Sequence, residues 1–242
     1  MSIWGKFVGA AAGMAIGGPL GALVGAFAGH YGYDRSRADG GGEAEPEDDI
    51  AFTIGVIALG AKMAKADGVV TKDEVDAFKQ VFVIAPEDMK SVSRVFNLAK
   101  RDISGYDAYA QQLAGLFKDK PDVLEDVVDG LFHIAKADNV VHPSELDFLR
   151  SVSEIFGFEE HDFDRIRARH MTPEETDPYV VMGLDRAVTD DDIKREYRRL
   201  VRDNHPDKLI ARGVPEEAVE IANQRLAAIN AAYDKIEKER GL

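Results

Sequence analysis

Residues 189–207 read TDDDIKREYRRLVRDNHPD. Thr189 is suited to cap a helix, and Asp190, Asp191 and Asp192 favour its positive start. Ile193, Tyr197, Leu200 and Val201 then fall at i, i+4, i+7 and i+8, which is one apolar stripe. Lys194, Arg198 and Arg202 form a second stripe at i, i+4 and i+8, flanked by Arg195 and Arg199. The helix therefore buries one face and offers a strongly basic one. Pro206 lacks an amide donor and biases His205 away from helical backbone, so the helix ends at His205-Pro206-Asp207.

Upstream, residues 161–176 are a polar connection. Asp177-Pro178-Tyr179-Val180-Val181-Met182 predicts a short helix, stopped by Gly183 before Leu184. Downstream, after a loop, Pro215 with Glu216 and Glu217 predicts another helix start. Its apolar stripe is Ala218, Ala222, Leu226, Ile229, Tyr233 and Ile236. Two amphipathic helices thus form an antiparallel hairpin with the tripeptide exposed at its tip.

The DPYVVMGL start, the basic helix, the HPD tripeptide and the later AAINAAYDKI resemble a J domain over residues 177–242. That resemblance implies a co-chaperone that recruits a DnaK-type chaperone and stimulates its ATP hydrolysis. His205, Pro206 and Asp207 would trigger hydrolysis, and Lys194, Arg195, Arg198, Arg199 and Arg202 would contact the partner's acidic surface. A basic face on an acidic chain steers a partner, which agrees with this reading. There is no Gly/Phe-rich segment and no cysteine repeat, so binding of unfolded clients in the manner of DnaJ itself is not implied.

From Ile50 to Phe163 the spacing is helical, as in Val75, Phe78, Val81 and Phe82, and no alternating strand pattern appears. The expectation is all-α throughout. Residues 64–76 (AKADGVVTKDEVD) and 135–147 (AKADNVVHPSELD) agree at eight of thirteen positions at an offset of 71. This predicts two related helix–turn–helix units that need each other to bury their apolar faces. Thr71 and Glu74 have capping-box spacing; His142, Pro143 and Glu145 take the cap, first and third helical positions of the second unit. Gly68 and Asn139 sit where left-handed backbone is expected. Asp67, Glu74, Asp138 and Glu145 are candidate ligands for a divalent cation shared by the two units. The loop is too short for an EF-hand and has Val69 where a ligand belongs, so capping is the simpler account. The repeat resembles the tellurite-resistance TerB family over 50–163.

Residues 7–29 (FVGAAAGMAIGGPLGALVGAFAG) carry no charge and are long enough, at about 1.5 Å per residue, to cross a hydrocarbon core of roughly 30 Å. Gly5, Gly9, Gly13, Gly17, Gly21, Gly25 and Gly29 recur at every fourth position, a groove suited to a close helix–helix crossing and hence a homodimer. Pro19 is tolerated in a membrane span, and Trp4, Tyr31 and Tyr33 lie where aromatic belts form. A cleaved signal peptide, suggested by Ala26-Phe27-Ala28, conflicts with the length of the run and its single preceding lysine, Lys6. A flexible Gly/Ala tail is the other alternative. Residues 34–49 (DRSRADGGGEAEPEDD) are an acidic linker, and 164–176 a second linker. The order of span, TerB-like region and C-terminal J domain is similar to that of membrane-bound DnaJ-like co-chaperones. That family places the chain in the bacterial inner membrane, crossing it once, with its bulk in the cytoplasm where DnaK-type partners and ATP reside.

The net charge of −14 disfavours nucleic acid as the main partner, and the absence of cysteine rules out a disulfide scaffold or thiolate zinc site. No phosphate-binding loop or H-E-x-x-H motif occurs. His133 reads as a core or boundary residue, and His161 and His170 as solvated. Neither an enzyme nor a cofactor is expected. The alternative function is a metal- or stress-sensing membrane adaptor with the repeat as sensor. A scaffold assembled through the glycine stripe is the third.

Overall fold

A computed structural model describes residues 18–21, 23, 47–66, 89–101, 105–136, 141–172, 175–211 and 219–242. These residues form ten α-helices and no strand. The first six are α1 (Glu47–Ala66), α2 (Met89–Arg101), α3 (Tyr106–Leu116), α4 (Pro121–Ala135), α5 (Pro143–Ile155) and α6 (Glu160–Arg169). The last four are α7 (Pro178–Met182), α8 (Asp190–Asp203), α9 (Pro206–Ala211) and α10 (Val219–Arg240).

The α1 sequence is apolar on nearly every side, so it can only lie inside other helices. Every residue from Thr53 to Ala64 is buried, and α2, α3, α4 and α5 pack around it. The one charged residue of this run, Lys62, lies over the Tyr109 ring, 5.2 Å from its centroid. The helices that lead into the two repeats, α1 and α4, pack against each other. In the second repeat Pro143 opens α5, and the Glu145 carboxylate accepts the His142 amide at 2.9 Å, closing the expected capping box. Thr71, Glu74, Gly68 and Asn139 lie outside the described residues. Phe132 and Phe163 pack with tilted rings 5.7 Å apart in this core; truncating either to Ala should cost about 3–5 kcal/mol.

Residues 161–169, read from the sequence as the first part of a polar connection, belong instead to α6. Phe163, Ile166 and Arg169 share its buried face. Two of the three are apolar and the third is an arginine, so the segment looks polar to a reading by hydrophobicity.

The C-terminal hairpin forms by the local signals its sequence carries. Asp177 accepts the Tyr179 amide at 3.0 Å, and Thr189 accepts the Asp192 amide at 3.2 Å. Gly183 ends α7 with φ +68°, left-handed backbone that a side chain would strain. Ile193 and Leu200 of α8 pack with Tyr179, Met182, Ile229 and Ile236. Tyr197 and Tyr233 stack at 4.0 Å, and the Tyr197 hydroxyl donates to Asn230 at 3.0 Å. At the far end Arg240 donates to the Tyr179 hydroxyl at 2.7 Å and to the Val188 carbonyl at 2.8 Å. These bonds tie the end of α10 to the start of the hairpin.

The buried face of α10 differs from the expected stripe. It runs Ala222, Arg225, Ile229, Ala232 and Ile236, with Leu226 and Tyr233 on its flank. That spacing of three and four is the seam of a helix gripped by neighbours. Its first turns leave the hairpin altogether: Ile221 and Ala222 join the core of α1–α6. Ile221 lies over Gly130 of α4 so closely that a Cβ there would stand 3.2 Å from the isoleucine methyl.

Candidate functional site

The helix α8 ends at Asp203, as the proline requires, and Asn204 makes the turn into His205. Pro206 opens α9, so a short helix begins within the tripeptide and runs on where a loop was expected. The side chains of His205 and Asp207 are 56% and 87% exposed. The Asp207 amide lies 3.2 Å from His205 Nδ1, which can accept it in the neutral ring. The tripeptide is thus presented to solvent on a short, bonded turn.

Arg195, Arg198, Arg199 and Arg202 are exposed on α8, and Lys194 is half-buried. The helix balances part of this charge internally. Arg195 pairs with Asp192, and Arg199 with Glu196. Asp203 takes contacts from Lys208 at 2.9 Å, Arg202 at 3.2 Å and Arg199 at 3.5 Å. The Lys208 hydrogen bond is the main reason its carboxyl is held down to about 2. Asp203 thereby gathers cations from α8 and α9 next to the tripeptide. The face stays basic, and Arg195, Arg199 and Arg202 are oriented by these pairs.

Behind this turn lies a buried ionic cluster that sequence reading missed. Arg225 of α10 donates to Asn204 Oδ1 at 2.8 Å. The same guanidinium also bonds Asp129 and lies 2.5 Å from Asp126 Oδ1, both on α4. Arg169 bridges Glu125 at 2.6 Å and Asp129 at 3.3 Å, and Arg165 grips Glu125 with both nitrogens at 3.1 and 2.9 Å. His170 Nε2 meets Asp129 Oδ1 at 2.7 Å while its ring stacks on Phe132 at 5.0 Å. Next to them His133 Nδ1 meets Gln224 Oε1 of α10 at 2.6 Å. A cleft of about 690 Å³ opens on this cluster, between Asp122, Glu125 and Arg165 on one wall and Arg199, Asp203 and Asn204 on the other.

The carboxyls in this cluster respond in opposite ways. Burial raises all three, but for Glu125 the charges of Arg169, Arg225 and Arg165 outweigh it and hold the group down to about 2. Asp129 is likewise held below the usual carboxylate range, by Arg225, His170 and Arg169. Asp126 is pushed up to about 6, because burial outweighs Arg225 and the neighbouring Asp129 and Glu125 add to it. Neither Asp126 oxygen has a hydrogen-bond partner among the described residues.

His161 is exposed as expected, whereas His170 is half-buried and bonded. The solvated reading of His170 fails because Asp129 and Phe132 cover it. His133 is a boundary residue, its pKa lowered by burial. Of the four candidate cation ligands only Glu145 is described, and it is engaged as the α5 cap; Asp67, Glu74 and Asp138 lie outside. Among the described residues no cluster of three or more His, Asp or Glu side chains is arranged to hold a metal.

Most of the 7–29 stretch lies outside the described residues, as do six of the seven glycines patterned from Gly5 to Gly29; Gly21 is inside. Leu20 and Leu23 are buried against the α1–α6 core, and the Leu20 amide donates to Gln112 at 2.9 Å. Among the described residues no helix is long and apolar enough to cross a membrane.

The signals that mark the missed cluster are anomalies of pattern. Glu125, Asp126 and Asp129 interrupt an otherwise apolar helix, PDVLEDVVDGLFHIA. Arg225 falls on the apolar side of α10. Acids and an arginine with no solvent-facing side demand each other.

Comparison with known proteins follows the same three-part division. Residues 1–40 match the family model of the co-chaperone DjlA transmembrane domain. Residues 53–168 match tellurite resistance protein TerB, and 177–240 match the DnaJ domain. The co-chaperone protein DjlA of Photobacterium profundum is 30% identical over 99% of both chains. Those of Shewanella oneidensis and Coxiella burnetii are 29% and 30% identical, over 100% and 98% of both chains. No solved structure matches.

Proposed function

The chain belongs to the DjlA family of co-chaperones, and from that premise we propose that it recruits a DnaK-type chaperone and stimulates its ATP hydrolysis. The observation that carries this reading is the exposed His205-Pro206-Asp207 turn set at the end of a basic helix. Arg195, Arg198, Arg199 and Arg202, with Lys194, supply the long-range attraction to an acidic partner surface. Because these charges are exposed, they govern encounter and orientation more than folding. The chain works by binding; the hydrolytic chemistry is the partner's.

Residues 7–29 anchor it as a single span of the inner membrane, with residues 34–242 in the cytoplasm. The glycine stripe from Gly5 to Gly29 pairs two copies. The length and lack of charge of this stretch support the span, as does the family match over residues 1–40. A span excludes the contacts of Leu20 and Leu23 with the helical core, so the anchored form gives these up to lipid. Resistance to alkaline carbonate extraction is the expected result, together with a cytoplasmic signal from a reporter fused after Leu242. A soluble chain, or a periplasmic signal, would reverse this placement.

The function itself is tested by single-turnover ATP hydrolysis on a DnaK-type chaperone, with the full chain in lipid discs. Stimulation should appear with the native chain and vanish with His205→Gln. A folded native chain that gives no stimulation refutes the reading.

A further inference from the structure

The tripeptide is exposed, yet the residue just before it is not. Asn204 is 7% exposed. Its Nδ2 donates to the Leu200 carbonyl at 2.8 Å, and its Oδ1 accepts from Arg225 at 2.8 Å. Arg225 is 4% exposed and is held from the other side by Asp126 and Asp129. One guanidinium therefore spans from α4 of the TerB-like region to the residue that turns the chain into His205. The groups around it agree with a built junction. Ile221 seats over Gly130, and His133 meets Gln224, both one turn or less away along α10. Arginine suits this place because its planar fork can serve two carboxylates and an amide oxygen at once, which a lysine cannot.

The junction leaves the working surface open. His205 and Asp207, and Arg195 and Arg202, remain more than half exposed with the two parts joined. The joined arrangement is not a closed state that must open before the tripeptide is reached.

We propose that Arg225 is a positioning residue, which locks the hairpin to the TerB-like region and through Asn204 fixes the turn that presents His205-Pro206-Asp207. This rests on the chaperone-stimulating reading above. The TerB-like region then acts as a rigid mount that sets how the turn meets the partner, and the hairpin is not a freely tethered module.

Two measurements on the full chain in lipid discs test it. The first is single-turnover ATP hydrolysis by a DnaK-type chaperone, titrated with the native chain, His205→Gln, Asn204→Ala and Asn204→Asp. Asn204→Ala removes the acceptor for Arg225 and should lower maximal stimulation roughly tenfold, the size of one charge-assisted hydrogen bond. The half-saturating concentration should barely change, since the basic face is intact. Asn204→Asp keeps an acceptor for Arg225 but loses the donor to Leu200, so it should retain most of the stimulation. Equal loss in both variants would mean that only the local bond to Leu200 matters, which overturns the proposal, as would native behaviour of Asn204→Ala. A native chain that fails to stimulate, like His205→Gln, removes the underlying reading and this role with it.

The second measurement does not depend on the partner. The chain has no cysteine, so Asp147→Cys and Ala227→Cys, both at exposed positions on α5 and α10, accept a pair of spin labels cleanly. A single narrow distance is expected, unchanged on adding the chaperone, and broadening in Arg225→Gln. A broad distribution in the native chain, or a narrow one in Arg225→Gln, would show that Arg225 does not hold the junction.

Discussion

Two charge-rich regions lie close together in this chain and do opposite work. On α8 the arginines stand in solvent, and Arg195, Arg199 and Arg202 each reach an acid on the same helix. Beneath them, Arg169 and Arg225 meet Asp126 and Asp129 with almost no exposure, and the partly buried Arg165 and Glu125 close the cluster, across separations of 40 residues or more in sequence. The exposed pairs are screened and contribute between nothing and about 1 kcal/mol each. The buried ones cannot be undone singly, because the orphaned partner has no water to turn to. Charge on the surface is therefore available for recognition, while charge in the interior holds the geometry that recognition uses.

The largest break in this comparison comes from deleting the central cation. Arg225→Met should lower the unfolding free energy by about 3–5 kcal/mol, since Asp126 and Asp129 stay buried without it. Chemical denaturation of the full chain in detergent measures this, and a loss below 1 kcal/mol would mean that water already reaches the cluster.

Acid should act on the same cluster. Glu125 and Asp129 have folded-state pKa values below their ordinary ones of 4.5 and 3.8. Their stabilisation is present above those ordinary values and drains away as pH falls towards about 2. Melting midpoints recorded from pH 7 down to 2 should fall steeply below about 4.5, and Asp129→Asn should flatten the fall.

A smaller effect has the reverse sign. Asp126 is raised from 3.8 to about 6, so the folded state loses stability at this group as pH rises between those values. Asp126→Asn avoids that loss and should stabilise the chain at pH 8 by about 1–3 kcal/mol, the cost of a poorly satisfied buried group. The gain should shrink to nothing near pH 4. A variant less stable than the native chain at pH 8 would show that Asp126 is a needed partner of Arg225.

How much of this was legible in the sequence follows from the range of each interaction. Thr189, Gly183, Pro143 and Pro206 act on their own backbone neighbours, and each stands where its chemistry puts it. The tripeptide and basic stripe were legible for the same reason, since spacing along one helix sets which side chains share a face. The repeat announced α1 and α4 as related helices but not what α4 alone carries. Its acids stand where α1 has Ile54, Gly55 and Ala58, at the offset of 71. The partners of those acids lie about 40 residues away on α6 and 96 away on α10, and no local rule connects them. Arg225 was passed over in favour of Leu226 because an apolar stripe was sought, and His170 was read as solvated because its neighbours in sequence are polar.

The contrast between the two regions is tested most directly by Arg198→Glu. Its melting midpoint and its stimulation of a DnaK-type chaperone should be measured on the same sample across a range of salt. Folding should be native within about 0.5 kcal/mol, while the half-saturating concentration rises on the order of tenfold at low salt and less at high salt. Unchanged half-saturation with the fold intact would contradict the account, because the exposed charges would then have no part in recognition.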